Sequence, residues 1–365
     1  MTESTDQALD NLRKAHREGD LTLYLGAGVS VDSGLPTWEK LVLAMYFSAL
    51  TKESLSGWRP FPNYLFAIAE WHLGRAHEPL EITARKIRQC YADDDIFLQH
   101  LRETLYAGFA AEYGAGEPGL NQGAIRDGNR TMDAIAALCE HRPDPHGGVS
   151  SVITYNYDNL LEAAVGDSLC QPVFGQVSLE PAKLPIYHVH GYVPFEGKKS
   201  SATGVVFTEE QYHFAAQDSY SWANLVQIQC MSSSVGLMIG LSLSDRNMRR
   251  LLDAVSRSPV NTRNYAFLQI PKWPEPDKAE LSTIDAKARE YFDRFARSGV
   301  KWRTEYPPGT KTETSWEGQI KGILSEVRKV DVARQTSILE NLGIRPIWYE
   351  DHHQIPSMIG RIIQD

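Results

Sequence analysis

Two spacings of apolar residues divide this chain. Residues 21–25 (LTLYL), 151–154, 186–189, 235–239, 265–270 and 344–348 are short runs bounded by glycine, proline or polar clusters. Runs of that length and bounding read as buried strands. Residues 205–207 predict one more short strand. Between the runs, apolar residues recur every three or four positions, the period of one helix face. That spacing predicts helices at 8–17, 38–50, 131–139, 159–165, 245–255, 286–295 and 316–327, with two more starting near Thr208 and Trp222. From 61 to 108 it stays helical, with few β-branched clusters. Residues 113–128, rich in Gly, Asn and Asp, read as a loop, and 142–148 (RPDPHGG) as a break. Residues 271–277 are a proline-rich connection, and Pro307, Pro308 and Gly309 mark another loop.

Strands alternating with helices predict an α/β fold: a Rossmann-like, doubly wound parallel sheet. Strand signal is nearly absent from 39–149, which reads as a helical insertion. Residues 1–38 and 150–365 then form the sheet-bearing domain. Trp58 and Trp71 are expected to pack the helical region, Asp93, Asp94 and Asp95 to start a helix, and His352 and His353 to face solvent.

Composition narrows the function classes. Lysine and arginine number 37 against 46 acids, a net charge of −9. An acidic surface argues against nonspecific binding to nucleic acid or anionic lipid. Arg246, Arg249 and Arg250 are the best candidates for a local basic patch and read as a solvated helix face. Cys90, Cys139, Cys170 and Cys230 form no Cys-x-x-Cys pair, so neither a structural zinc site nor a dithiol motif is supported. Scattered thiols fit a reducing cytoplasm, and no apolar run reaches the roughly 18–20 residues that span a bilayer. Residues 1–20 are polar and do not read as a secretory signal.

Three segments carry candidate chemistry. In LGAGVSVDSGLPTW (25–38) an apolar strand runs into Gly26-Ala27-Gly28. Glycines there let backbone approach a pyrophosphate, with N–H groups at a helix start facing the anion. Ser30 adds a hydroxyl. Val31 stands where the dehydrogenase fingerprint has its third glycine, and a tight turn without ligand explains Gly-Ala-Gly equally well. In VITYNYDNLL (152–161) Asn156 and Asp158 follow a strand end, where open α/β sheets place ligands; a helix cap explains the same residues. In IYHVHG (186–191) strand alternation sets His188 and His190 on one face. A metal pair is one reading, but spacing offers no third ligand.

Together these segments resemble the sirtuin family. Gly26, Ala27, Gly28, Ser30, Gly34 and Pro36 match its first NAD motif, Gly-Ala-Gly-x-Ser followed by Gly-x-Pro. The usual Asp-Phe-Arg is replaced by Thr37, Trp38 and Glu39, and the resemblance sets Trp38 where an aromatic covers the reacting ribose. Asn156 and Asp158 match Thr-Gln-Asn-x-Asp, with Tyr155 for the glutamine. The family places its catalytic histidine directly before glycine, which selects His190 and leaves His188 as a hydrogen-bonded neighbour or packed strand residue. By the same resemblance Asp158 helps fix the nicotinamide carboxamide. Gly240, Ser242 and Asp245, in IGLSLSDRN, contact the adenosine ribose, Asn247 completes that pattern, and a capped helix also explains Asp245. Segments 207–214 and 343–349 are similar to the same bacterial subgroup, with Trp348 and Tyr349 as adenine-site or core residues.

The resemblance implies an enzyme that takes NAD as substrate, with Asn156 and His190 as the catalytic pair and no metal. Family deacylases carry a four-cysteine zinc module that this chain lacks, so the implied reaction is hydrolysis to ADP-ribose and nicotinamide by a cytoplasmic NADase. The subgroup serves bacterial anti-phage defence. Homo-oligomer assembly and a separate activating partner, a HerA-type ATPase or an Argonaute protein, follow from it, since the chain is too short for a large fused sensor. Three alternatives stay open: a sensor binding NAD or ADP-ribose without turnover, a zinc-free deacylase or ADP-ribosyltransferase, and a cyclase.

Overall fold

A computed structural model describes residues 4–54, 62–76, 78–113, 120–196, 204–257, 264–297 and 316–364. The chain divides into two compact units, Met1–Gln269 with Leu339–Asp365, and Ile270–Ile338.

The first unit is built on seven parallel strands: β1 Leu21–Leu25, β2 Val149–Thr154, β3 Cys170–Val173, β4 Leu184–His188, β5 Val235–Ile239, β6 Asn264–Gln269 and β7 Ile344–Tyr349. Their order is β3-β4-β2-β1-β5-β6-β7, and each neighbouring pair is parallel. The sheet is therefore the doubly wound, Rossmann-like one expected. The chain enters at the centre, passes through β2 to the edge strand β3, turns back to β4 between them, and crosses through β5 to the other side. That reversal opens a crevice at the carboxyl end of β1, the usual ligand position in such sheets.

Side-chain alternation builds a core on each face. Leu21, Leu23 and Leu25 of β1 join Val152, Leu237, Ile239, Tyr265 and Phe267 on one side. Tyr24, Ile153, Met238, Ala266 and Leu268 join Met231, Met248, Leu251 and Leu252 on the other. The helices Trp38–Ser54, Asp94–Leu105 and Arg130–Glu140 contribute Leu41, Met45, Leu101, Leu105, Met132 and Ile135 to the first core. The helical stretch thus shares a core with the sheet. The helix Gln354–Ile363, which no sequence signal singled out, packs there through Ile355, Ile359 and Ile362.

Several expectations need correction. Residues 122–128 are not loop but a helix, Gln122–Gly128, whose first turn is capped by Asn121 and whose Ile125 is buried. The glycines and polar residues there mark its caps and outer face. Residues 205–207 form no strand; Val206 N–H donates to the His190 carbonyl at 2.8 Å and its own carbonyl accepts from the Tyr157 hydroxyl at 2.6 Å. Strand β3 was not expected, because Cys-Gln-Pro-Val carries little apolar periodicity; Pro172 is tolerated on an edge strand. Trp71, expected to pack the helical region, is 60 % exposed. Trp58, Pro307, Pro308 and Gly309 lie outside the described residues. Asp93 does cap the helix Asp94–Leu105, and His352 and His353 are exposed. No helix among the described residues is long and apolar enough to cross a membrane.

The second unit holds the helix Lys278–Arg297 and most of Trp316–Asn341. Arg328 of the latter pairs with Glu275 at 3.1 Å and covers the Trp273 ring.

At the amino edge of the sheet, His16 is buried, stacks on His141 at 5.3 Å and lies 3.4 Å from the Leu138 carbonyl. Burial, chiefly, pushes its imidazole below the ordinary 6.5. The neutral ring is then favoured in the fold, and its stabilisation is lost as acid forces a proton onto it. The melting temperature is expected to fall by a few degrees as pH drops below about 6.5, and His16→Gln to flatten that slope. Thermal melts across this range decide it; parallel wild-type and variant curves would refute the assignment.

Candidate active site

Strand register aligns four carboxyl ends. Leu25 of β1 sits opposite Thr154 of β2 and Ile239 of β5, and Thr154 sits opposite His188 of β4. The next residues of each strand, Gly26, Tyr155, Val189 and Gly240, therefore emerge at one edge. A cavity of about 860 Å³ opens there, within the range of small-molecule sites. Its lining includes Gly26, Ala27, Gly28, Ser30, Pro36, Trp38, Asn156, Asp158, His190, Gly240, Ser242 and Asp245, the residues that the resemblance gave to catalysis and NAD binding.

The glycine loop is two 3₁₀ turns, Ala27–Val29 and Val31–Ser33, rather than the start of a long helix. It lies against the β5 loop, with Gly28 N–H donating to the Gly240 carbonyl at 3.0 Å. Both glycines are required. A Cβ on Gly28 would come within 2.8 Å of the Gly240 Cα, and Gly240 itself has φ +68°. Asn129, from the helical stretch, pins the loop from behind: its amide donates to the Val29 carbonyl at 2.8 Å and the Ser33 hydroxyl at 2.9 Å.

Asn156 is tied to this loop. Its Nδ2 lies 3.2 Å from the Gly26 carbonyl and 3.3 Å from Ser30 Oγ. A carbonyl only accepts, so the amide orientation is fixed chemically. Ser30 Oγ in turn donates to Asp158 Oδ2 at 3.1 Å. With its Nδ2 facing these two acceptors, Asn156 presents Oδ1, an acceptor, to the cavity it lines. Asp158 also accepts from Leu160 N–H at 3.1 Å, so the capping reading and the site reading of this residue both hold. Burial pushes its carboxyl up to about 6, with Glu162 nearby adding to the rise and the Leu160 and Ser30 bonds opposing it.

His190 sits among aromatic edges. Tyr155 and Tyr212 meet its ring in edge-to-face contacts at 5.0 and 5.6 Å, and Asp245 Oδ2 is 3.8 Å from Nε2. Burial lowers the imidazole below its ordinary value, against the pull of Asp245. The ring is held neutral near pH 7, ready to accept a proton. Gly191 after it has φ +105°, and a Cβ there would lie 2.4 Å from the Val205 Cα. Asp245 also caps the helix Arg246–Ser256 through Met248 N–H at 2.6 Å.

His188 and His190 do not share a face. Strand β4 ends at His188, so alternation stops there and His190 lies in the following turn. His188 pairs with Glu162 instead. No group of three metal-ligating side chains occurs among the described residues. Trp348 and Tyr349 pack against the two cores and do not line the cavity. Arg246 and Arg250, expected on a solvated face, are exposed but line the cavity, one helical turn apart. Tyr212, Glu81 and Leu80 were missed, since nothing local in the sequence links these helices to a sheet edge.

A carboxyl held near 6 favours the protonated fold, so the associated stability is present below about pH 4 and lost as pH rises through about 6. Asp158→Asn is therefore expected to stabilise the protein at pH 7.5 by about 1–2 kcal/mol, less than the full ~3 because Ser30 loses its acceptor. The gain should vanish near pH 4, and denaturant melts at both pH values check it. Comparison with curated proteins gave no match. Residues 150–292 do match a family model described as SIR2-like domain; the match spans Asn156, Asp158, His190, Gly240 and Asp245 and supports the sirtuin-like family, whose members are typically NAD-dependent enzymes.

Proposed function

We propose that this protein hydrolyses NAD at the nicotinamide–ribose bond, releasing nicotinamide and ADP-ribose, and that it depletes NAD as an effector of anti-phage defence. The observation that carries the reaction is the convergence of Asn156 and His190 on the cavity lined by the Gly26–Ala27–Gly28 loop. The donor set fits a dinucleotide. Ser242, Ser244, Asn247, Arg246 and Arg250 offer hydrogen bonds to ribose and pyrophosphate oxygens, and Trp38, Tyr155 and Tyr212 offer flat faces to rings.

Breaking the glycosidic bond expels a neutral base and leaves an oxocarbenium-like sugar. A water then adds to the anomeric carbon and gives up a proton. His190, neutral and buried, is the base that takes it. Asn156 cannot titrate; its Oδ1 accepts from the water or a ribose hydroxyl and orients it. Asp158, anchored through Ser30, faces the nicotinamide carboxamide. Water is favoured over an acyl-lysine as co-substrate because Cys90, Cys139, Cys170 and Cys230 form no Cys-x-x-Cys pair of the kind the family's zinc module uses. The defence role and a separate HerA-type or Argonaute partner rest on the similarity of the 239–247 segment to the bacterial subgroup. The helical stretch is the surface proposed for that partner, in a cytoplasmic homo-oligomer.

Incubation with NAD and product chromatography test the reaction. Asn156→Ala and His190→Ala are each expected to lower turnover at least ~100-fold while the protein stays folded. A folded His190→Ala protein with unchanged turnover would sink the assignment. The acid limb of kcat/KM is expected below pH 6.5, because burial lowers the imidazole. Asp245→Asn should move that limb lower still, since the carboxylate that favours the imidazolium is removed. A limb moving upward contradicts the pairing.

A further inference from the structure

Behind the catalytic turn lies a buried ionisable pair that the reaction does not touch. His188 closes β4, and Glu162 sits in the helix Leu160–Val165 that follows the 155–158 turn. Both are buried. His188 Nε2 is 2.5 Å from Glu162 Oε1, and His188 Nδ1 is 3.3 Å from the Asn156 carbonyl oxygen. The Tyr192 ring meets the imidazole edge-to-face at 4.6 Å. Glu162 Oε2 has no hydrogen-bond partner among the described residues.

The carbonyl can only accept, so Nδ1 carries a hydrogen. Nε2 and Oε1 then share one proton, and the pair is neutral overall whichever atom holds it. A core needing stability alone gains little from such a pair, since apolar residues of similar volume usually serve as well or better. What the pair adds is direction: a fixed imidazole with one N–H aimed at the peptide oxygen of Asn156.

Resting on the NADase reading above, we propose that Glu162 and His188 position Asn156 for catalysis, gripping its backbone from beneath the sheet edge while Gly26 and Ser30 grip its side chain. Neither is a catalytic residue. Glu162 orients His188, His188 holds the carbonyl, and the held carbonyl fixes where Oδ1 points. A displacement of about 1 Å in such a group costs up to ~100-fold in rate.

Two variants separate positioning from bulk stability. In Glu162→Gln the amide donates to Nε2, the imidazole keeps its Nδ1–H on Asn156, and kcat for NAD should stay within about threefold. The His188→Leu/Glu162→Leu double variant should melt at or above wild type with KM within about threefold, yet lose roughly 30- to 100-fold in kcat. Wild-type kcat in the folded double variant, or an equal loss in Glu162→Gln, overturns the proposal. Imidazole ¹⁵N NMR of the wild-type protein reads the anchor without turnover and covers a double variant that fails to fold. The His188 Nδ1 should carry a hydrogen in the folded protein, and a bare Nδ1 overturns the proposal. A protein with protonated Nδ1 that leaves NAD intact refutes the proposed hydrolysis and spares the anchor.

Discussion

The side-chain amide of Asn156 holds the site together. Its Nδ2 bonds the Gly26 carbonyl and the Ser30 hydroxyl, so the turn after β2 is locked to the loop after β1. The β1 loop is in turn locked to the β5 loop through Gly28 and Gly240. Three strand ends that are neighbours in the sheet thus become one rigid rim. Each bond lies in a site largely closed to water, where an unmade bond costs the full desolvation of its donor. The arrangement is therefore nearly all-or-none. Losing the amide would leave a buried carbonyl and a hydroxyl without their donor at the mouth of the cavity.

The same dryness sets the protonation states. Burial lifts Asp158 and lowers His190, each toward its neutral form. The fixed cations among its lining residues, Arg246 and Arg250, stand at its exposed margin. The proposed cleavage of NAD would meet oriented dipoles and a carboxyl there, which suits the developing positive charge of an oxocarbenium-like sugar. Keeping Asp158 buried and partly ionised lowers the stability of the fold, the usual trade at an active site.

The helices inserted after β1 are wall as much as insertion. Trp38, Leu80, Glu81 and Leu105 line the cavity, Asn129 braces the glycine loop, and Tyr106 donates to the Val193 carbonyl at 2.9 Å just past His190. Opposite them, Arg85 joins the helix Leu80–Gln89 to Glu209 and Glu210 of Glu209–Gln217, which carries Tyr212 over His190. Each of these two helices stands within one or two contacts of the His190 ring.

Much of this was legible in the chain itself. Short apolar runs gave every central strand, because a strand buried on both faces must be apolar throughout. The site residues came from the family resemblance, and they meet because parallel strands place their carboxyl ends at one edge: Gly26, Asn156, His190 and Gly240 each stand one or two positions beyond such an end. Local pattern failed where local pattern does not decide. Strand β3 gains its place by pairing with β4, although Cys-Gln-Pro-Val has no strand periodicity of its own. Residues 205–207 look like a strand, yet their backbone is claimed by His190 and Tyr157. His188 and His190 were separated by where a strand stops, which alternation cannot tell. Nothing local gave Glu162, Asn129 or Tyr212 its role, for their partners lie 26, 100 and 22 residues away, at His188, Val29 and His190. The sequence by itself determined which residues line the sheet edge. Only the tertiary structure decided which atoms hold them there, because hydrogen-bond direction and burial are properties of the packed neighbours and not of the segment.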